Sequence, residues 1–248
     1  MAELKTHKSR IGKGLINMLM FQMYGDEKLI YREYVQNARD AINDAVNHGI
    51  LGAITDGRIS ITIDSAKRFI EIRDNGIGIP VERVESVLLD IADSDKDGES
   101  SAGQFGIGRL VGGYFCKKLS FKTTYKGEEL ASEIVFDIDK IKAILNDEND
   151  KRDATDVIDS ASSRNLYDEN KDDHYFIVTL YDIDLQYPSL LSKDIRHCNQ
   201  QYIHINIRIY ISSFDYRFIN ITNRNRSLNT MVIFFSFTAC MKFVQSHP

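Results

Sequence analysis

Residues 29 to 46, LIYREYVQNARDAINDAV, constrain the chain more than any other stretch. Ile30, Tyr34, Ala38, Ala41, Ile42 and Ala45 recur at three- and four-residue spacing, which predicts one amphipathic helix. Glu33, Asn37, Asp40 and Asp44 follow the same spacing one position off, so a carboxylate, an amide and two further carboxylates border the apolar seam. This second stripe holds no Lys or Arg, whereas a solvated face usually mixes signs. It is either an acidic surface stripe or a grip for a ligand at the edge of the core, and the helix alone leaves both open.

Composition narrows the setting. At 248 residues, 43% hydrophobic and 27% charged, the chain has ordinary globular composition and enough length for one large domain or one domain plus an appendage. Cys116, Cys198 and Cys240 lie far apart and show no C-x-x-C spacing, so neither a zinc cage nor a disulfide framework is expected. A reducing, cytoplasmic compartment fits, and the N-terminus MAELKTHKSRIGKG lacks the apolar core of a secretion signal.

The net charge of -5 hides an asymmetry. Residues 1–195 carry 25 basic and 35 acidic side chains, and residues 196–248 carry 6 and 1. Two domains of organisation are therefore expected, 1–195 as the main unit and 196–248 as a tail of distinct composition. The acidic main unit argues against nucleic acid as its chief partner.

Along the chain, Gly14–Tyr24 predicts a short apolar helix, and Gly49 with Gly52 ends the region of the central one. Arg58–Asp64 and Arg68–Asp74 alternate apolar and polar about a short connection, a hairpin signal. Ile70, Ile72 and Asp74 share one strand face, so isoleucines turned to the helices deliver Asp74 to the same side. Asn75-Gly76-Ile77-Gly78-Ile79-Pro80 follows. Val81–Ala92 predicts a helix and Asp93–Ala102 a loop of small, polar and acidic residues. The run Gly103-Gln104-Phe105-Gly106-Ile107-Gly108 then opens a helix over Arg109–Cys116, with Gly112 and Gly113 weakening it. Leu119–Tyr125, Leu130–Ile138 and Tyr175–Ile183 read as strands, and Lys140–Asp173 as helix plus loop.

Glycines at 103, 106 and 108 would let backbone approach phosphates and aim helix amides at them. Neither glycine run fits the Rossmann or Walker spacing, because Gly108 is followed by Arg109 and no G-x-G-x-x-G opens a helix directly after a strand.

At these residues the sequence resembles the GHKL ATPases, the superfamily of gyrase, the MutL repair proteins, histidine kinases and, nearest in likeness, the ninety-kilodalton heat-shock chaperones. Glu33-x-x-x-Asn37-Ala38-x-Asp40-Ala41 resembles the family's asparagine box, Asp74-Asn75-Gly76-Ile77-Gly78 its first glycine box, and Gly103–Gly108 its second in chaperone-type spelling. The likeness covers roughly residues 10 to 185.

The resemblance implies the Bergerat fold, an α+β two-layer sandwich with helices on one face of a mixed β-sheet. It implies a nucleotide site of Asn37, Asp40, Ala41, Asp74, Gly76, Gly78, Ile79, Gly103, Gln104, Phe105, Gly106, Ile107, Gly108 and Arg109, with ATP and Mg2+ as cofactors. Asp74 would accept from the adenine amino group, Asn37 would be the metal ligand, and Glu33 would be the catalytic residue that polarises water. Residues 81–108 would form a lid. Slow ATP hydrolysis is the activity implied, with ATP and ADP as ligands, a homodimer or a client protein as partner, and no membrane. A nucleotide-regulated binding or dimerisation module without appreciable turnover is the alternative.

Three departures stand out. Arg109 occupies a place where the family usually has an aromatic residue, and His174-Tyr175 stands where a glycine and a threonine are usual, leaving open whether Tyr175 or Thr179 replaces the threonine. The chaperones also complete their site with an arginine from a following domain, for which this chain has no room. In the tail, Ile203, Ile205, Ile207, Ile209 and Ile211 alternate strictly, a strand signal, and Met231–Met241 is strongly apolar. Added strands, a non-native translated extension and a membrane anchor all fit that composition.

Overall fold

The computed structural model describes residues 11–18, 20, 27, 29–90, 108–192, 206–212 and 233–235. Alternating residues build the sheet. β1 (Arg58–Asp64) and β2 (Phe69–Asp74) pair antiparallel, Ile61 opposite Ile72 and Ile59 opposite Asp74. β3 (Lys118–Thr124), β4 (Leu130–Asp137), β5 (Ser162–Asp168) and β6 (Tyr175–Tyr181) complete an antiparallel run of six in the order β5-β4-β3-β6-β2-β1. β7 (Asn206–Ser212) joins β1 in parallel and β8 (Ile233–Phe235) joins β7, both from the compositionally distinct tail. The rest of the tail lies outside the described residues.

Helices cover one sheet face. The central helix, Leu29–Asn47, buries Ile30, Tyr34, Val35, Ala38, Ile42 and Ala45. Numbered in chain order it is α2, after the short α1 (Gly14–Asn17). The core beneath it gathers Ile59, Ile61, Ile63, Ile70, Ile72, Phe121, Val178 and Leu180 from the sheet. α3 (Val84–Leu89), α4 (Ile138–Asn146) and α5 (Ala154–Ala161) extend the layer through Val84, Leu88, Ile141 and Val157. Asp137 and Asp153 accept from the amides of Lys140 and Asp156 and so cap α4 and α5. The opposite face is covered by its own side chains: Arg73 lies 4.4 Å from the Tyr175 ring and Lys122 4.6 Å from Tyr167.

Three sequence expectations change in detail, and a fourth is described only in part. Lys140–Asp173 holds two helices and the strand β5, because Ser162–Asp168 is exposed and shows no apolar alternation, and its register with β4 makes it a strand. Val81–Ala92 is a short 3-10 turn, Val81–Arg83, followed by α3, and the chain leaves helical geometry at Asp90. Gly108–Phe115 is a 3-10 helix, in which Gly112 is needed for close approach: a Cβ there would lie 2.5 Å from the Tyr34 hydroxyl. Of Gly14–Tyr24, Gly14–Asn17 is α-helical and most of the remainder lies outside the described residues. Among the described residues no helix is long and apolar enough to cross a membrane.

Candidate functional site

Asp74 ends β2 with its side chain on the helix face, 3% exposed. The cross-strand row at this level runs Ile59, Asp74, Phe176, Thr123, Ser132, so three buried polar side chains lie at one end of an otherwise apolar layer. Burial pushes the Asp74 carboxyl up from 3.8 to about 7, against the opposing pull of amide hydrogen bonds from Gly76 and Phe176 and of the Arg73 charge. Its Oδ1 accepts from the Gly76 amide at 2.7 Å.

The loop after Asp74 docks on α2. The Ile77 amide donates to the Ala41 carbonyl at 2.9 Å, and a Cβ on Gly76 would lie 2.6 Å from that of Ala41. Gly78 has φ +72 and packs so closely on the Thr124 carbonyl that any Cβ would collide with it. The Ile79 amide donates to the Thr123 hydroxyl at 3.0 Å, and that hydroxyl donates to the Tyr175 carbonyl at 2.8 Å. Asn75, inside the same glycine box, turns away: its side chain accepts from the Arg58 amide and donates to the Asp56 carbonyl.

Further towards the N-terminus of α2 the neighbours change. Tyr34 donates its hydroxyl to the Arg109 carbonyl at 2.8 Å and accepts from the Gly112 amide at 2.9 Å, fastening helix 108–115 to α2. Arg109 reaches the other way, its Nη2 donating to the Asp90 carbonyl at the end of α3 at 2.9 Å. Two turns separate Tyr34 from Ala41, a distance of about 10 Å along the axis. The stripe residues line this interval: Glu33, Asp40 and Ala41 are half-buried, and Asn37 is exposed.

The structure thus brings Glu33, Asn37, Asp40, Ala41, Asp74, Gly76, Gly78, Ile79 and Arg109 to α2 or to segments bonded to it. Gly103, Gln104, Phe105, Gly106 and Ile107 lie outside the described residues, and of the second glycine run only the Gly108 backbone is described, at the start of the 3-10 helix. Tyr175 and Thr179 lie on the other face of β6 from the Asp74 row. Both alternate with Phe176 and Val178 and face away from Asp74, as the stacking of Arg73 on Tyr175 confirms for that residue. Phe176 stands opposite Asp74 instead, and His174 holds the Gly76 carbonyl through Nδ1 at 2.8 Å. A carbonyl only accepts, so Nδ1 carries the proton.

Thr123 joins the row beside Asp74 and is absent from the residues expected there. The signal was present: Leu119, Phe121 and Thr123 alternate inward, and a hydroxyl at an inward position needs partners.

Comparison with known proteins places the geometry in context. Residues 29–165 match the family described as histidine kinase-, DNA gyrase B-, and HSP90-like ATPase. The chain is 32% identical to chaperone protein HtpG of Halalkalibacterium halodurans over 133 residues, 47% of this chain and 21% of the relative. Against HtpG of Nitrobacter winogradskyi it is 32% identical over 125 residues, 43% of this chain and 20% of the relative. The HtpG of Shewanella baltica OS155 is 29% identical over 161 residues, 55% of this chain and 24% of the relative. The chain spans about a fifth to a quarter of the length of these relatives.

Proposed function

Because the chain belongs to the family of histidine kinase-, DNA gyrase B- and HSP90-like ATPases, we propose that the polar stripe of α2 and the loop docked on it bind ATP with its base at Asp74 and its phosphates towards the N-terminal half of the helix, and that the chain hydrolyses it slowly. The observation that carries this reading is the enclosed Asp74 carboxylate beside a glycine pressed onto Ala41. A buried carboxylate gains a partner when an amino group is delivered to it, and the purine amino group is a donor of the right kind. Thr123, Ile79 and His174 hold the surrounding loop, so it is fixed before the base arrives.

The exposed Asn37 amide oxygen fits a hard divalent cation, and no group of three His, Cys, Asp or Glu able to hold a metal is present among the described residues. A magnesium ion would therefore take most of its ligands from phosphate and water, with Asn37 supplying one oxygen, and would neutralise phosphate charge. Glu33, one turn before Asn37 on the same stripe, accepts a proton from the attacking water. Residues 81–108 close over the triphosphate, and the bond from Arg109 to Asp90 ties the segment's described end to the site. A homodimer or client protein, suggested by the relatives' chaperone name, and a cytoplasmic setting belong to the same proposal.

A single-turnover ATPase assay on wild type and Glu33→Ala tests the chemistry. Hydrolysis should fall about 10²- to 10⁴-fold in the variant with ATP affinity retained. Unchanged turnover would remove Glu33 from the reaction, and tight binding by wild type without turnover would leave a nucleotide-regulated module.

A further inference from the structure

Asp74 has two direct neighbours along its cross-strand row, Ile59 on β1 and Phe176 on β6, and the three side chains share the helix face. Opposed residues of this kind stand about 5 Å apart. Ile59 is 0% exposed and closes its side of the carboxylate, whereas Phe176 is half-buried. A group that reaches Asp74 along the row therefore comes past the Phe176 ring. That ring leans on the buried Phe121, with centroids 5.8 Å apart, so its inner side is held. Ile79, also half-buried, is bonded through its amide to Thr123, the next residue of the row after Phe176.

The polar groups around the carboxylate are already engaged. Gly76 donates its amide to Asp74 and its carbonyl accepts from His174, while the Thr123 hydroxyl accepts from Ile79 and donates to Tyr175. What Asp74 reads is an amino donor, and adenine and cytosine both carry one on the ring. The carboxylate alone does not separate a purine from a pyrimidine. The two bases differ in ring area, and the accessible apolar surface next to Asp74 belongs to Phe176. We propose that Phe176 is the base-selecting residue of this site: a purine whose amino group reaches Asp74 packs on its ring, and a pyrimidine carrying the same amino group covers too little of it to bind as well. The proposal rests on the ATP reading above and adds to it the side chain that decides which class of amino-bearing base is taken.

Calorimetry with ATP and with CTP, each with magnesium, on the full chain, Phe176→Leu and Phe176→Tyr is the test. Phe176→Leu keeps an apolar side chain and removes the ring, and should weaken ATP about 5- to 20-fold and CTP less than about threefold. Phe176→Tyr keeps the ring and should hold ATP within about threefold of wild type. Chemical denaturation reports whether each variant is folded, and one readout needs no variant: in the wild-type complex the adenine ring protons should show nuclear Overhauser contacts to the Phe176 ring. Equal losses for the two nucleotides in a folded Phe176→Leu, no loss for ATP, or bound ATP without contacts to the ring overturn the assignment of Phe176. A folded wild type that binds neither nucleotide overturns the ATP reading instead.

Discussion

The two ends of the polar stripe on α2 are built differently. At the Ala41 end Asp74, Gly76, Ile77, Gly78 and Ile79 are fixed by hydrogen bonds or close packing with α2, β3 and the start of β6. At the Tyr34 end the bonds run between helices, Glu33 is half-buried, Asn37 is exposed and Arg109 keeps a buried donor without a partner. One end is preorganised; the other leaves polar groups ready for a ligand. On the nucleotide reading proposed above, affinity for a base would come from the first kind of construction, and response to phosphate charge from the second.

Breaking the rigid end should have the largest effect on stability. Gly78→Ala forces a side chain into a positive-φ position and against the Thr124 carbonyl, so a loss of about 2 to 4 kcal/mol is expected in chemical denaturation. Preserved stability would show that the loop is looser than its packing indicates.

The Asp74 carboxyl sharpens the comparison through pH. Its folded pKa of about 7 lies above the ordinary 3.8, so between about pH 4 and 7 the folded state binds more protons than the unfolded one. Stability from this group therefore falls as pH rises through that window, by about 1.4 kcal/mol per unit. Relative to Asp74→Asn, the nucleotide-free wild type should lose about 2 to 3 kcal/mol between pH 5 and 8. Parallel pH curves for the two proteins would place the carboxylate in water.

The smallest effect belongs to the open end. Asn37→Ala removes an exposed side chain and should change stability by less than about 0.5 kcal/mol while weakening magnesium-dependent ATP binding. A large loss of stability would make Asn37 a structural residue.

Much of this was legible in the chain. Strict alternation in Arg58–Asp64 and Arg68–Asp74 gave the hairpin and put Asp74 on the helix side, and the offset stripes of α2 placed Glu33 and Asn37 beside its buried seam. Local pattern was silent where pairing decides. β5 has no apolar face and exists through its register with β4, and the reach of His174 to Gly76 joins residues 98 apart in the chain. Gly112 and Gly113 weakened a helix in the sequence reading because propensity counts their missing side chains as a cost, while at Gly112 the fold uses that absence to let Tyr34 bond the backbone. Asn75 sits in the glycine box, and its amide ties the loop to the start of β1.

The central claim is that Asp74 receives the base of a bound adenine nucleotide. Titration calorimetry of ATP into wild type and Asp74→Ala at pH 8 tests it most directly, because the carboxylate is then ionised and its loss removes a charge-assisted hydrogen bond worth about 1.5 to 3 kcal/mol. The account predicts that Asp74→Ala binds ATP at least about tenfold more weakly while remaining folded. Equal affinity in a folded variant would contradict it.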